Sequence, residues 1–203
     1  MNILHIDCSP RLESHSRALS AALVARLREA YPGATVTRRD VGAAPIPHLQ
    51  EEYVDRVLAL ALQPHPATRL SDQLIDEVQR ADCLVIGTPM SNLTLPSVFK
   101  AWLDQVLRIG RTLGRDADGQ KVGLLRDRPV YVAIASGSVF SGERAQQPDF
   151  LTPYLSAALA SAGLRSVRFL ALQGTARLDA SQLRVAQQHV LARFEEHLKG
   201  DFS

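Results

Sequence analysis

The sequence is poor in the residues that staple or metallate a protein. It has two cysteines, Cys8 and Cys83, and neither has a partner at metal-ligand spacing. Two thiols make no disulfide framework, so both read as reduced thiols of a cytoplasmic protein. Excess charge is missing as well. The formal charge is +2 and the arginines are scattered, which gives no argument for a nucleic-acid partner. No apolar run approaches the ~18 residues of a membrane span. The first residues have no basic stretch, and Asp7 interrupts a short apolar start, so no signal peptide is expected. Glycine is absent from "CSPRLESHSRAL" (8–19), where the first apolar segment ends. A loop without glycine cannot cradle a dinucleotide pyrophosphate by close backbone approach.

What is present is an ordinary globular composition, 46% hydrophobic and 22% charged over 203 residues, enough for one large domain spanning 1–203. A chain of this size buries about 70% or more of its unfolded surface. "NILHI" (2–6) reads as a strand. From about Ser14 the pattern turns helical, with Leu19, Leu23 and Leu27 on one stripe until "YPGA" (31–34) stops it. "TVTRRDV" (35–41) alternates like an exposed edge strand, and "AAPIPHL" (43–49) is a loop. Helices are expected over 51–62 and 68–80. "CLVIGTP" (83–89) is a continuous apolar run, the mark of a strand buried on both faces. Pro96 opens a helix with Val98, Trp102 and Val106 on one face, where Trp102 reads as core. "TLGRDADGQKVGLL" (112–125) reads as a hairpin turning at Asp118-Gly119. A strand follows over 130–136. Thr152 and Pro153 read as a cap and an N1 proline, with a helix over 153–163. The chain ends on a strand over 167–172 and a helix over 179–198.

Five strands alternating with helices predict an α/β domain: a doubly wound, five-stranded parallel sheet. Its commonest order, 2-1-3-4-5, makes strands one, three and four neighbours. Their exit loops are "SPRLESHS" (9–16), "PMSNLTLP" (89–96) and "SGSVFSG" (136–142), and ligands of such folds sit outside those strand ends. In the first loop a helix N-terminus favours an anion. Ser9, Ser14 and Ser16 offer hydroxyls, and Arg11 or Arg17 is placed to add charge, which suits a terminal monophosphate. The alternative is local: Ser14 is an N-cap and Ser9 a turn residue. A cysteine-phosphatase loop is excluded, because the position its arginine would take is Ser14. Cys8 is read as a strand-end thiol, and His5 as structural.

The chain as a whole resembles the FMN-dependent NADH azoreductase family, also a quinone reductase family, with the flavodoxin-like fold. The residues that carry this are Ser9 with Ser14-His15-Ser16, "APIPHL" (44–49), "TPMSNLTLPSVFKAWLDQVLRIGRT" (88–112), "GLL" (123–125), "ASG" (135–137) and "TPYLSAALASAGL" (152–164). The resemblance implies FMN as bound cofactor and NADH or NADPH as donor. It implies that Ser9, Ser14, His15 and Ser16 take the FMN phosphate. Pro89, Met90, Ser91, Asn92 and Leu93 would line the ring, with a backbone N–H near Asn92 aimed at flavin N5. Ser136, Gly137, Ser138 and Val139 would hold the pyrimidine edge. It further implies a homodimer whose active site lies at the subunit interface. Ser91, Leu93 and Leu113 stand where the family usually has aromatics, and Ser138-Val139 where Gly-Gly is common; these departures bear on substrate preference.

The function expected is two-electron, ping-pong reduction of quinones and azo compounds through the flavin. No catalytic side chain is expected, because the cofactor carries the chemistry. The competing expectation is an FMN-binding electron carrier. Such carriers are typically strongly acidic, and a +2 chain with a hairpin at 112–125 argues against it.

Overall fold

The structure, a computed structural model, describes residues 1–61 and 63–201. Five parallel strands form one sheet: β1 (Asn2–Asp7), β2 (Thr35–Asp40), β3 (Cys83–Pro89), β6 (Val130–Ala135) and β7 (Val167–Leu172). A short antiparallel hairpin, β4 (Leu113–Arg115) with β5 (Lys121–Gly123), stands apart from it. The large sheet runs β2-β1-β3-β6-β7. With the hairpin strands set aside, that is the order 2-1-3-4-5. The helices are α1 (His15–Ala30), α2 (Glu51–Leu58), α3 (Arg69–Arg80), α4 (Ser97–Val106), α5 (Thr152–Ser161) and α6 (Ala180–Asp201). No helix among the described residues is long and apolar enough to cross a membrane.

Each central strand buries both faces, which is why its sequence does not alternate. Ile3, Cys83, Val85 and Tyr131 face the core beneath α1 and α6, with Leu19, Leu23 and Leu27. Leu4, Ile6, Leu84, Ile86 and Val132 face the opposite core, with Trp102 and Val106 of α4. The α1 helix lies very close to the sheet because Gly87 has no side chain. A Cβ there would sit 2.5 Å from Ser20 Oγ and 2.9 Å from the Ser16 carbonyl. A glycine inside a strand marks such an approach. It brings the first turn of α1 over the end of β3.

Several element boundaries differ from the sequence expectation. The expected helix over 51–62 ends at Leu58. Leu60 adopts φ 51°, and the N–H groups of Leu60 and Ala61 close on the carbonyls of Val57 and Arg56. This is a Schellman stop built on leucine, whose apolar side chain gives no stop signal; Leu62 lies outside the described residues. Pro96 is the N-cap of α4, with an extended ψ of 151°, and not its first helical residue. The cap of α5 is not Thr152. Asp149 Oδ1 accepts from the N–H groups of Leu151 and Thr152, both at 2.9 Å. The last helix reaches Asp201, whose carboxylate takes the Tyr131 hydroxyl and Arg168, each at 3.0 Å.

Candidate functional site

The exit loops of β1, β3 and β6 meet at the carboxyl end of the sheet. They enclose a cleft of about 630 Å3. Ser9, Arg11, Glu13, Ser14 and His15 form one wall, Pro89, Met90 and Ser91 another, and Gly137 the third. A second cleft of about 510 Å3 adjoins it through Met90 and Gly137, and adds Asn92, Leu93, Ser136 and Ser138. Both volumes lie in the range of small-molecule sites, roughly 300–1,000 Å3. Two of the residues expected to contact the flavin line neither cleft. Ser16 is fully buried one layer behind, its Oγ 2.8 Å from Ser14 Oγ. Val139 accepts the N–H of Gln146 at 2.8 Å through its carbonyl and packs near Gly174.

The β1 loop is held by Arg17. Its guanidinium, 7% exposed, donates through Nε to the Ser9 carbonyl at 3.0 Å and in a fork to Asp40 at 2.7 and 2.6 Å. The hydrogen bond to Arg17 holds the Asp40 carboxyl below its ordinary range despite burial. Arg17 therefore ties the loops after β1 and β2 together and faces away from the cleft; Arg11 is the arginine on the rim. Beneath the loop, Asp7 is buried. Burial pushes its carboxyl up, but the hydrogen bond and charge of His5, with Arg38 and Arg17, outweigh this and hold it at about 2.

Ser14 has the extended backbone of an N-cap, yet its side chain makes no capping bond. Its hydroxyl pairs with Ser16 instead. The first-turn N–H groups of α1 are thus left without a capping side chain, beside hydroxyls, at the positive end of a helix dipole. That donor set suits a dianionic phosphate. Cys8 is fully buried behind this wall; burial pushes its thiol well up, and it lines neither cleft.

The β3 loop makes a tight turn. Ser91 and Thr94 exchange backbone hydrogen bonds at 2.8 and 3.0 Å, with Asn92 at φ 47° and Leu93 at φ 71° between them. Both central residues are left-handed, as in a type I′ turn. Asparagine tolerates this conformation and leucine does not, at a cost of about 1 kcal/mol. The turn persists because Ser91 and Thr94 lock it and the Leu93 carbonyl accepts from Phe150 N–H at 3.2 Å. It carries Met90 and Leu93 into the clefts as apolar wall.

Thr175 and Ala176 of the loop after β7, Val98 of α4 and Gln147 also line the clefts, and sequence reasoning missed them. For Thr175 a signal existed. β7 is the neighbour of β6, and Thr175 donates through N and Oγ1 to the Ser136 carbonyl at 3.0 and 3.1 Å. Among the described residues no group of metal-ligating side chains forms.

The family model for the flavodoxin-like fold matches residues 1–198. The chain belongs to the flavodoxin-like fold family. Its curated relatives in that family include the FMN-dependent NADH:quinone oxidoreductase 4 of Pseudomonas fluorescens, 47% identical over 174 residues, 85% of this chain and 84% of that protein. The FMN-dependent NADH:quinone oxidoreductase 5 of Burkholderia lata is 42% identical over 200 residues, 95% and 96% of the two chains. Among solved structures, an azoreductase from Bacillus anthracis superimposes with a TM-score of 0.84 at 20% identity, covering 97% of this chain and 99% of that one. An FMN-dependent NADH-azoreductase from Bacillus anthracis, in complex with FMN, gives 0.79 at 20% identity over 97% and 99%. At that identity the likeness is one of fold.

Proposed function

We propose that this chain is an FMN-dependent NAD(P)H oxidoreductase that reduces quinones and azo compounds, with FMN held across the two adjoining clefts. The observation that carries this reading is the convergence of three exit loops on a site with phosphate donors at one end and an apolar shelf at the other. The fit to FMN is chemical. Ser9, Ser14 and His15, with the uncapped N–H groups of α1, match a terminal phosphate, while Ser16 orients Ser14 from behind. Arg11 on the rim offsets Glu13. Pro89, Met90, Ser91, Asn92 and Leu93 make the wall for a planar ring. Ser136, Gly137 and Ser138 supply polar groups at its edge, on a loop that Val139 anchors through Gln146.

FMN, when bound, supplies the two-electron transfer between nicotinamide and acceptor. The protein's part is position and electrostatics. Met90 and Leu93 would exclude water from the ring wall, and the turn at Asn92 would offer it backbone N–H groups. Donors at the polar edge stabilise negative charge that develops there. No side chain is needed as a general acid, since solvent supplies protons. Donor and acceptor use one open side of the site in turn, which makes the kinetics ping-pong. In the same reading two copies pair, covering the exposed Leu60 and Ile109 beside the hairpin.

Steady-state rates of the FMN-loaded protein test this, with NADH and NADPH varied against menadione and an azo dye. Parallel double-reciprocal lines are expected with a quinone. An absence of nicotinamide consumption with every acceptor would overturn the enzyme reading in favour of a carrier. Light scattering tests the pairing: a monomer at assay concentration refutes it.

A further inference from the structure

Between β6 and α5 the chain crosses the smaller cleft. Residues 141–146 and 148 are exposed, and Gln147 alone in that stretch is turned inward. Its backbone is pinned on both sides. Gln146 N–H donates to the Val139 carbonyl, and Phe150 N–H donates to the Leu93 carbonyl. Asp149, two residues on, caps α5. The side chain is held far less firmly. Nε2 donates to the Met90 sulfur at 2.9 Å and lies 3.5 Å from Ser136 Oγ. A thioether is a weak acceptor, and 3.5 Å is the outer limit of a hydrogen bond. A fixed backbone thus carries a primary amide whose present partners are readily exchanged for better ones.

A primary amide presents a donor and an acceptor side by side. The pyrimidine edge of a flavin presents their complement, an N3–H flanked by carbonyl oxygens. We propose that Gln147 recognises this imide edge through a pair of hydrogen bonds. Nε2 donates to a ring carbonyl, Oε1 accepts from N3–H, and the contact with Met90 is given up. The inference rests on the FMN reading above and adds to it a binding residue from the later part of the β6–α5 connection, beyond the 136–142 segment. Gln147 lines the cleft together with Ser136, Gly137 and Ser138, so the edge would be met from two sides.

The test titrates wild type and Gln147→Leu with FMN and with 3-methyl-FMN, followed by quenching of flavin fluorescence. Wild type is expected to bind FMN about tenfold more tightly than the N3-methylated analogue, as loss of such hydrogen bonds implies. Gln147→Leu is expected to lose about tenfold for FMN and to bind the two flavins alike, within about twofold. Gln147→Glu keeps the acceptor for N3–H and loses the donor, so it should bind FMN more weakly than wild type and still disfavour the methylated analogue. An equal preference for FMN over the analogue in wild type and Gln147→Leu overturns the pairing while leaving FMN binding intact. Absence of quenching by either flavin in wild type overturns the FMN reading, and the pairing with it. The thermal midpoints of the variants without flavin should match wild type, because the side chain leaves only weak contacts behind.

Discussion

Near the amino ends of β6 and β7 the chain satisfies its own polar groups; at the carboxyl ends, beside the clefts, it leaves several open. Asp127, just before β6, accepts from the N–H groups of Arg128, Arg165 and Ser166 and from the Ser166 hydroxyl, all between 2.8 and 3.1 Å. Arg128 beside it is 5% exposed. It donates to the carbonyls of Val78, Gln79 and Ala81, closing the end of α3. Those carbonyls carry the negative end of a helix dipole, so a buried cation is well placed there. Across the sheet, α1 starts with no capping side chain, a leucine sits in the left-handed region, and an amide rests on a sulfur. Groups saturated within the chain stabilise the fold. Groups left unsaturated next to a cleft are available to a ligand.

If the amino end serves stability alone, Arg128→Ala should destabilise the protein without touching the site. Its loss leaves three carbonyls at the end of α3 without their charged donor, a cost of about 3 kcal/mol. Urea denaturation should show a lower midpoint at unchanged slope. FMN affinity of the folded protein should stay within about twofold of wild type.

Asp7 sharpens the comparison, because it is a saturated group directly beneath the open end. It is 1% exposed and bonded to Arg38 and Ser20. Its folded-state value of about 2 lies below the ordinary 3.8. A carboxylate shifted in that direction stabilises the fold fully above pH about 4, and the contribution is lost as pH falls through about 2. The amount is about 2 kcal/mol. Stability measured from pH 5 down to pH 2 should fall steeply, and Asp7→Asn should flatten that part of the profile while lowering stability at pH 7.

Ser14 should behave in the opposite way to Arg128. An N-cap serine that bonds its helix costs about 1 kcal/mol when replaced by alanine. Ser14 makes no such bond. Ser14→Ala should therefore change stability by less than about 0.5 kcal/mol and weaken FMN by about tenfold, read as unfolding midpoint and flavin quenching. A large stability loss with unchanged FMN affinity would return Ser14 to the role of an ordinary cap.

How far the sequence discloses this arrangement follows from the range of each interaction. Burial on both faces is a property of a whole strand, so "CLVIGTP" marks β3 (Cys83–Pro89) to the residue. The convergence of three loops follows from strand order, which the alternation of strands and helices limits to few choices. Partnerships across the sheet are not local and leave no such mark. Arg17 reads as a candidate anion ligand until the pairing of β1 with β2 sets Asp40 within its reach. Gly87 is hidden in an apolar run, because what it accommodates is a helix from elsewhere in the chain. Gln147 belongs to a loop without pattern, and its place in the cleft depends on contacts with Val139 and Leu93 that no spacing encodes. The Schellman stop at Leu60 is likewise invisible, since it is built on leucine and not on the glycine or asparagine that marks such a stop.

The smallest effect tests whether the open end stores strain for a reason. Leu93 holds φ 71° at the second central position of a type I′ turn, after Asn92 at φ 47°. Leu93→Gly would make an Asn-Gly pair, the preferred sequence for that turn. Glycine removes the clash of Cβ with the backbone, worth about 1 kcal/mol, but forfeits the contact of a half-buried side chain and adds freedom to the unfolded chain. The net change in stability should be a gain of about 0.5 kcal/mol. The same change strips apolar wall from the smaller cleft, so FMN should bind several-fold more weakly. A more stable protein with a weaker site is the outcome expected where strain is maintained by function. Equal or tighter FMN binding in Leu93→Gly would mean that the leucine contributes nothing to the ring wall, and that the contrast between the two ends of the sheet stops at the phosphate loop.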